Sequence, residues 1–168
     1  MSAIIFDLDQ AFVDTSMLSE LRHRRKWGQV YKKIECVKPY SGMAALIRDI
    51  RKRGAHVGFV TSSPGQYCRQ ILFNLNCEVD AVVAYHDTSK HKPHPEPIVY
   101  MLNKLAVSAD KAMYVGDTVN DMEAARGAHV TPVAALWGSQ EYDTLAQLSY
   151  PIHCRSVAEL RRFITTQL

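Results

Sequence analysis

Short, nearly continuous apolar runs recur along the chain at Ala3–Phe6, Val57–Val60, Ala81–Ala84, Ala112–Val115 and Val133–Leu136, with a shorter one at Ile152–Cys154. They lack the in–out alternation of a half-exposed sheet, so they predict strands covered on both faces. Pro132 places the start of the fifth run at a sheet edge or strand entry. Between these runs the period changes. Met43, Leu46, Ile47 and Ile50 share one helical face, with Ser41 as candidate cap and Gly54 past the end. Pro97 suits the first turn of a helix carrying Ile98, Met101, Leu102 and Leu105. Thr118 can cap a helix that Gly127 ends. Ser156 and Glu159 form a capping-box pattern ahead of Leu160, Phe163 and Ile164. Strands alternating with helices predict an α/β fold whose sheet is mainly parallel and lies between helical layers.

One stretch breaks the alternation. Residues 16–40 carry no strand signal, but Met17, Leu18 and Leu21, and then Trp27, Val30, Tyr31 and Ile34, repeat at helical spacing. They predict one or two short helices inserted over the end of the sheet. At 168 residues the chain fits a single domain, 1–168, with 16–40 as an insertion within it. An apolar share of 47% and a charged share of 22% exclude a disordered or collagen-like chain. No apolar run approaches the ~20 residues of a membrane helix. The acidic start MSAIIFDLD does not resemble a leader peptide, so a cytoplasmic protein is expected. Cys36, Cys68, Cys77 and Cys154 form no CxxC pair and read as free thiols.

Charge changes the picture in one place. The net charge is +3, yet residues 16–55 hold eleven Lys and Arg against three Asp and Glu. Arg22, Arg24, Arg25, Lys26, Lys32 and Lys33 on the insertion suit a polyanion such as a nucleic-acid end, or else a solvated helix face. No nucleic-acid-binding motif accompanies them. His86, His91 and His94 share one loop, but their irregular, proline-rich spacing does not suit zinc.

In open parallel sheets, ligands bind beyond the carboxyl ends of the strands. The residues at those ends are chemically coherent. Asp7 and Asp9 follow the first run, and Thr61, Ser62 and Ser63 follow the second. Lys92 stands in the loop after the third, and Gly116, Asp117 and Asp121 follow the fourth. Carboxylates attract a hard cation such as Mg²⁺, and a carboxylate can also attack phosphorus. Asp9, two residues beyond Asp7, is placed on the same strand face, where it can serve as acid and base. Thr61 and the N–H groups after it can hold phosphate oxygens, and Lys92 can offset their charge. Asp121, three residues after Thr118, equally completes a capping box.

Four ordered segments, DLDQAFVDT (7–15), VGFVTSSP (57–64), HKPHPEP (91–97) and VGDTVNDMEAAR (115–126), resemble the motifs of the haloacid dehalogenase-like superfamily of phosphohydrolases. The likeness extends over nearly the whole chain. It implies a Rossmann-like three-layer fold and Mg²⁺-dependent phosphate transfer through an aspartyl-phosphate. By position, Asp7 would be the nucleophile, Asp9 the acid and base, and Thr61 and Lys92 catalytic groups. Thr61, Ser62 and Lys92 would bind the substrate. Asp7, the carbonyl of Asp9, Asp117 and Asp121 would form the metal site. A true dehalogenase needs no metal and fits less well. The chain departs from the family in carrying Gln10-Ala11 where Gly-Thr is usual, and in having only a small helical cap at 16–40. A reduced cap leaves an open site, suited to a large phosphorylated substrate or to completion by a second copy in a homo-oligomer. The leading expectation is a phosphatase. The alternatives are a phosphate- or nucleotide-binding module with little turnover and a nucleic-acid end-phosphatase. Membrane partners are not expected.

Overall fold

Each apolar run becomes a strand of one sheet. The computed structural model describes residues 2–168. Its strands are β1 (Ala3–Phe6), β2 (Val13–Asp14), β3 (Lys38–Pro39), β4 (His56–Val60), β5 (Ala81–Val83), β6 (Ala112–Gly116), β7 (Thr131–Ala135) and β8 (Ile152–Cys154). Six of them form a sheet in the order β5-β4-β1-β6-β7-β8, and each neighbouring pair is parallel. The α-helices are α1 (Ser19–His23), α2 (Trp27–Lys33), α3 (Met43–Lys52), α4 (Gly65–Asn74), α5 (Glu96–Leu105), α6 (Val119–Gly127), α7 (Tyr142–Gln147) and α8 (Val157–Gln167).

The side-chain alternation of β1 divides the core. Ile4 and Phe6 pack with Leu46 and Ile50 of α3, Ile71 of α4 and Leu160 of α8. Ala3 and Ile5 face the other way, onto Ile98 and Met101 of α5 and Ala124 and Ala125 of α6. The result is a three-layer, Rossmann-like sandwich. Each fully buried Ile, Leu or Phe on these faces contributes about 1.5–3 kcal/mol. Gly58 in β4 leaves room for Met101, whose Sδ would lie 2.7 Å from an added Cβ. β7 is internal, and its pairing with β8 begins at Val133, so Pro132 sits at the strand entry where no β8 partner is lost.

Several local expectations need correction. Gly42, not Ser41, is the cap residue of α3. Its left-handed φ of 88° turns the chain into the helix, a conformation open to glycine at no steric cost. Ser156 caps α8, but Glu159 accepts the N–H of Arg155 at 2.7 Å instead of closing the box on Ser156. α4 and α7 lie outside the elements that the pattern predicts. The insertion also contains a strand: β3 pairs antiparallel with β2, Val13 opposite Pro39 and Asp14 opposite Lys38. Two residues are too few to show a period. Between them, residues 16–36 form α1 and α2 flanked by single 3₁₀ turns at Ser16–Leu18 and Ile34–Cys36. Leu18, Val30 and Ile34 are buried there, joining the core that includes Phe12 and Tyr67. The four cysteines are free. No helix among the described residues is long and apolar enough to cross a membrane.

Candidate active site

After β1 the chain steps outward to β4 and β5, then returns across β1 to β6. That reversal opens a crevice at the carboxyl ends of β1, β4 and β6. The crevice is a cleft of about 520 Å³, roofed on one side by α1 and the start of α2. Asp7, Asp9, Thr61, Ser62, Lys92, Asp117 and Asp121 all line it.

Lys92 is the hub. Its Nζ donates to Asp7 Oδ1 at 2.7 Å, to Asp121 Oδ1 at 2.6 Å and to the Tyr114 hydroxyl at 3.0 Å. The ammonium has three donors, and all three are used. Asp121 is equally committed. Its Oδ2 accepts the N–H groups of Asp117 and Thr118 and the Thr118 hydroxyl, while its Oδ1 takes Lys92 and Tyr114. The same residue therefore completes the α6 capping box and fixes the lysine. Gly116 permits this. A Cβ there would lie 2.4 Å from that of Asp121.

Asp117 is different. It is buried, and its Oδ1 has no hydrogen-bond partner. A buried carboxylate oxygen without a donor is costly. Oxygens of Asp7, Asp117 and Asp121 lie within 4.8 Å of one another. Burial pushes Asp7 up to about 7, against the pull of Lys92, with repulsion from Asp121 and Asp9 adding to it. Burial pushes Asp117 up to about 9, and Asp121 and Asp7 add to the rise. Burial opposes the charge on Lys92, but Asp121 and Asp7 outweigh it and hold the lysine well above its usual range. An oxygen-only set with one orphaned, buried oxygen fits a hard divalent cation.

Asp9 does not join this group with its side chain. The strand ends at Phe6, so the strand period does not carry from Asp7 to Asp9. Its carboxylate turns to a second set of donors. Thr15 Oγ1 and the Tyr67 hydroxyl reach Oδ1 at 2.9 and 2.8 Å. Ser63 Oγ reaches Oδ2 at 2.9 Å, and Arg22 Nη2 lies 2.7 Å from the same oxygen. Only the backbone carbonyl of Asp9 is then left to serve a metal. Thr61 is buried at the end of β4, and its Oγ1 accepts the N–H of Ser63 at 3.1 Å. Ser62 is exposed at the cleft wall.

The departure at Gln10 has a visible compensation. Gln10 keeps the left-handed backbone that glycine would favour, with φ 66°. Its Oε1 accepts the Thr15 N–H at 2.9 Å and the Tyr40 hydroxyl at 3.4 Å. Ala11 lacks a hydroxyl, but Thr15 supplies one to Asp9.

The basic insertion also divides. Arg22 pairs with Asp9 at 2.7 Å, and Arg24 with Glu20 at 3.0 Å. Arg25, Lys26, Lys32 and Lys33 remain exposed. Sequence reasoning missed Tyr67, Thr15, Tyr114 and Ser139 as supports of the site. Ser139 Oγ donates to the Asp117 carbonyl at 2.5 Å. Thr15 closes the first motif and was findable there. The others sit on elements that only the fold brings to the rim. His86 lines the cleft, while among the described residues no metal-holding group includes a histidine.

Fold and rim together define a three-layer α/β domain of the Rossmann-like class, with strand-end carboxylates and one lysine converging in a single cleft. Residues 20–135 match the haloacid dehalogenase-like hydrolase family, and the chain belongs to it. It is similar to a phosphoglycolate phosphatase of Xanthomonas campestris pv. campestris (strain 8004), 35% identical over 101 residues covering 59% of this chain and 46% of that protein. A phosphoglycolate phosphatase of Xylella fastidiosa (strain Temecula1) is 32% identical over 111 residues, 63% of this chain and 47% of its own. The chain thus spans about half the length of these relatives. The structure of CbbY from Rhodobacter sphaeroides in complex with phosphate superposes with a TM-score of 0.81 at 17% identity, covering 95% of this chain and 96% of that one. That likeness speaks for the fold.

Proposed function

We propose that this chain is a Mg²⁺-dependent phosphohydrolase that cleaves phosphate monoesters through a covalent phosphoryl group on Asp7. One observation carries the reading: Asp7, buried and 2.7 Å from Lys92, stands beside an Asp117 whose Oδ1 has no protein partner. Asp7, Asp117 and the Asp9 carbonyl would hold the cation, with Asp121 steadying Lys92 and the Asp117–Thr118 turn. A bound cation would supply positive charge to offset the repulsion between the anionic ester and the carboxylates.

The residues divide the work as follows. An Asp7 oxygen attacks phosphorus. The bond from phosphorus to the leaving oxygen breaks, and that oxygen keeps the bonding electron pair and takes a proton from Asp9. The Thr61 hydroxyl and the N–H of Ser62 hold the phosphoryl oxygens, and the Lys92 charge beside Asp7 offsets theirs as it redistributes. Water then attacks the same phosphorus, Asp9 accepts its proton, and the bond to Asp7 breaks to regenerate the carboxylate and release phosphate. The helices of residues 16–36 act as a small cap that leaves the cleft open. The names of the relatives make phosphoglycolate the first ester to try.

The test is phosphate release from phosphoglycolate, sugar phosphates, nucleotides and end-phosphorylated oligonucleotides, with Mg²⁺ or with EDTA. Release is expected only with Mg²⁺, and Asp7→Asn is expected to lose at least about a thousandfold in rate with its fold intact. An Asp7→Asn chain as fast as the parent would overturn the nucleophile. A folded parent silent across the panel would instead favour a phosphate-binding module.

A further inference from the structure

Arg22 is placed oddly for a structural ion pair. Its guanidinium meets Asp9 at one point, Nη2 to Oδ2 at 2.7 Å, and not fork to fork. The fork is unavailable because the Thr15 and Tyr67 hydroxyls already occupy Oδ1. Nη1 donates to Thr15 Oγ1 at 3.0 Å and Nη2 approaches Ser63 Oγ at 3.4 Å. The Nε of Arg22 is buried and meets no acceptor. The cation is thus only partly satisfied, at the wall of the cleft. His23 and Arg25 share that wall, and the nearby acid of α1, Glu20, is paired with Arg24. On the floor, Lys92 is fully engaged.

Asp9 is the other half of the observation. Its carboxylate accepts from Thr15, Tyr67 and Ser63, and the Arg22 guanidinium stands against Oδ2 as an ion pair. With two hydroxyls on Oδ1, and a hydroxyl and the guanidinium against Oδ2, neither oxygen is open to hold a proton toward a leaving group. One of these donors must withdraw, and Arg22 is the one on a separate, inserted element.

We infer that Arg22 is a specificity-determining residue that binds a second anionic group of the substrate, a carboxylate or phosphate beyond the scissile ester, and that this binding draws it from Asp9 and frees the acid and base. The inference rests on the phosphohydrolase reading and narrows its substrate class to esters with two anionic groups. Monoesters lacking the second anion leave Asp9 latched and turn over slowly.

Two phosphonates, whose organic group is joined to phosphorus through carbon and which offer no ester oxygen as leaving group, separate the questions. Phosphonoacetate carries the second anion and methylphosphonate does not. Calorimetric titration of the parent with Mg²⁺ is expected to show phosphonoacetate bound at least about tenfold more tightly. In Arg22→Gln the ratio should fall to about twofold or less, and in Arg22→Lys it should be intermediate, because an ammonium keeps the charge without the planar donor edge. Equal affinities in the parent would overturn the inference, as would an undiminished ratio in either folded variant. Binding of neither phosphonate by the parent would overturn the phosphate site itself and the inference with it. Turnover tests the release of Asp9: carboxyethyl phosphate should exceed propyl phosphate in kcat by about tenfold or more, and Arg22→Gln should erase that gain. A gain confined to KM would show that Arg22 binds the anion without freeing the acid.

Discussion

Gln10 shows how a single position keeps a motif working after its usual residue has gone. A non-glycine residue in the left-handed region costs about 1–2 kcal/mol. Here the cost is set against a side-chain acceptor for Thr15, worth about 1 kcal/mol. Gln10→Ala keeps the strain and loses the acceptor, whereas Gln10→Gly loses both. Denaturant unfolding should therefore rank Gln10→Gly about 1 kcal/mol more stable than Gln10→Ala. Equal stabilities would mean that the backbone there is not a constraint. Gly138 guards the same loop from the other side. A Cβ at Gly138 would stand 2.0 Å from the Gln10 carbonyl oxygen and 2.5 Å from the Tyr40 hydroxyl. Gly138→Ala is expected to cost about 1–3 kcal/mol in the same measurement.

At the level of elements, the start of α6 joins folding to chemistry. Thr118 and Asp121 cap the helix reciprocally, and the same Asp121 anchors Lys92. Thr118→Val removes the capping hydroxyl and its bond to Asp121 but leaves Lys92 both its carboxylates, and should cost about 1–2 kcal/mol. Asp121→Ala also leaves a buried lysine with one carboxylate fewer, and should cost about 3–5 kcal/mol by chemical denaturation. If the two variants unfold alike, Asp121 is only a cap. The cap was legible because TxxD precedes a helical run. The lysine contact was not, since Lys92 lies on the loop before α5 and Asp121 in the first turn of α6, and they meet only when α5 and α6 pack on one face of the sheet. Tyr67 is similar. It lies on α4, outside the predicted elements, and reaches Asp9 across the rim at 2.8 Å.

For the whole molecule, four buried acids at one rim form a standing electrostatic load. Asp7 and Asp117 are pushed up because nothing but Lys92 offsets their burial. A ligand that binds the folded state alone raises stability with its concentration. Mg²⁺ should therefore raise the melting temperature of the parent, and at about a hundred times its dissociation constant contribute about 2.7 kcal/mol. Asp117→Asn should melt at a temperature that Mg²⁺ does not change, as scanning calorimetry would show. A melting temperature indifferent to Mg²⁺ in the parent would count against Asp117 as a metal ligand.

The sequence alone determined the six sheet strands, the order of motifs and the identity of Asp7, Asp9, Thr61, Lys92, Asp117 and Asp121 as rim residues. Those are local signals: buried runs are apolar, and strand ends in such sheets carry the ligands. Only the tertiary structure decided what each rim residue touches. It turned the Asp9 side chain away from Asp7 toward Arg22, Tyr67, Ser63 and Thr15, because β1 ends at Phe6 and the chain bends. It took Arg22 out of the basic surface and paired β2 with β3 across the insertion. Contacts between residues far apart in the chain follow from how layers pack, and no periodicity within a segment records them.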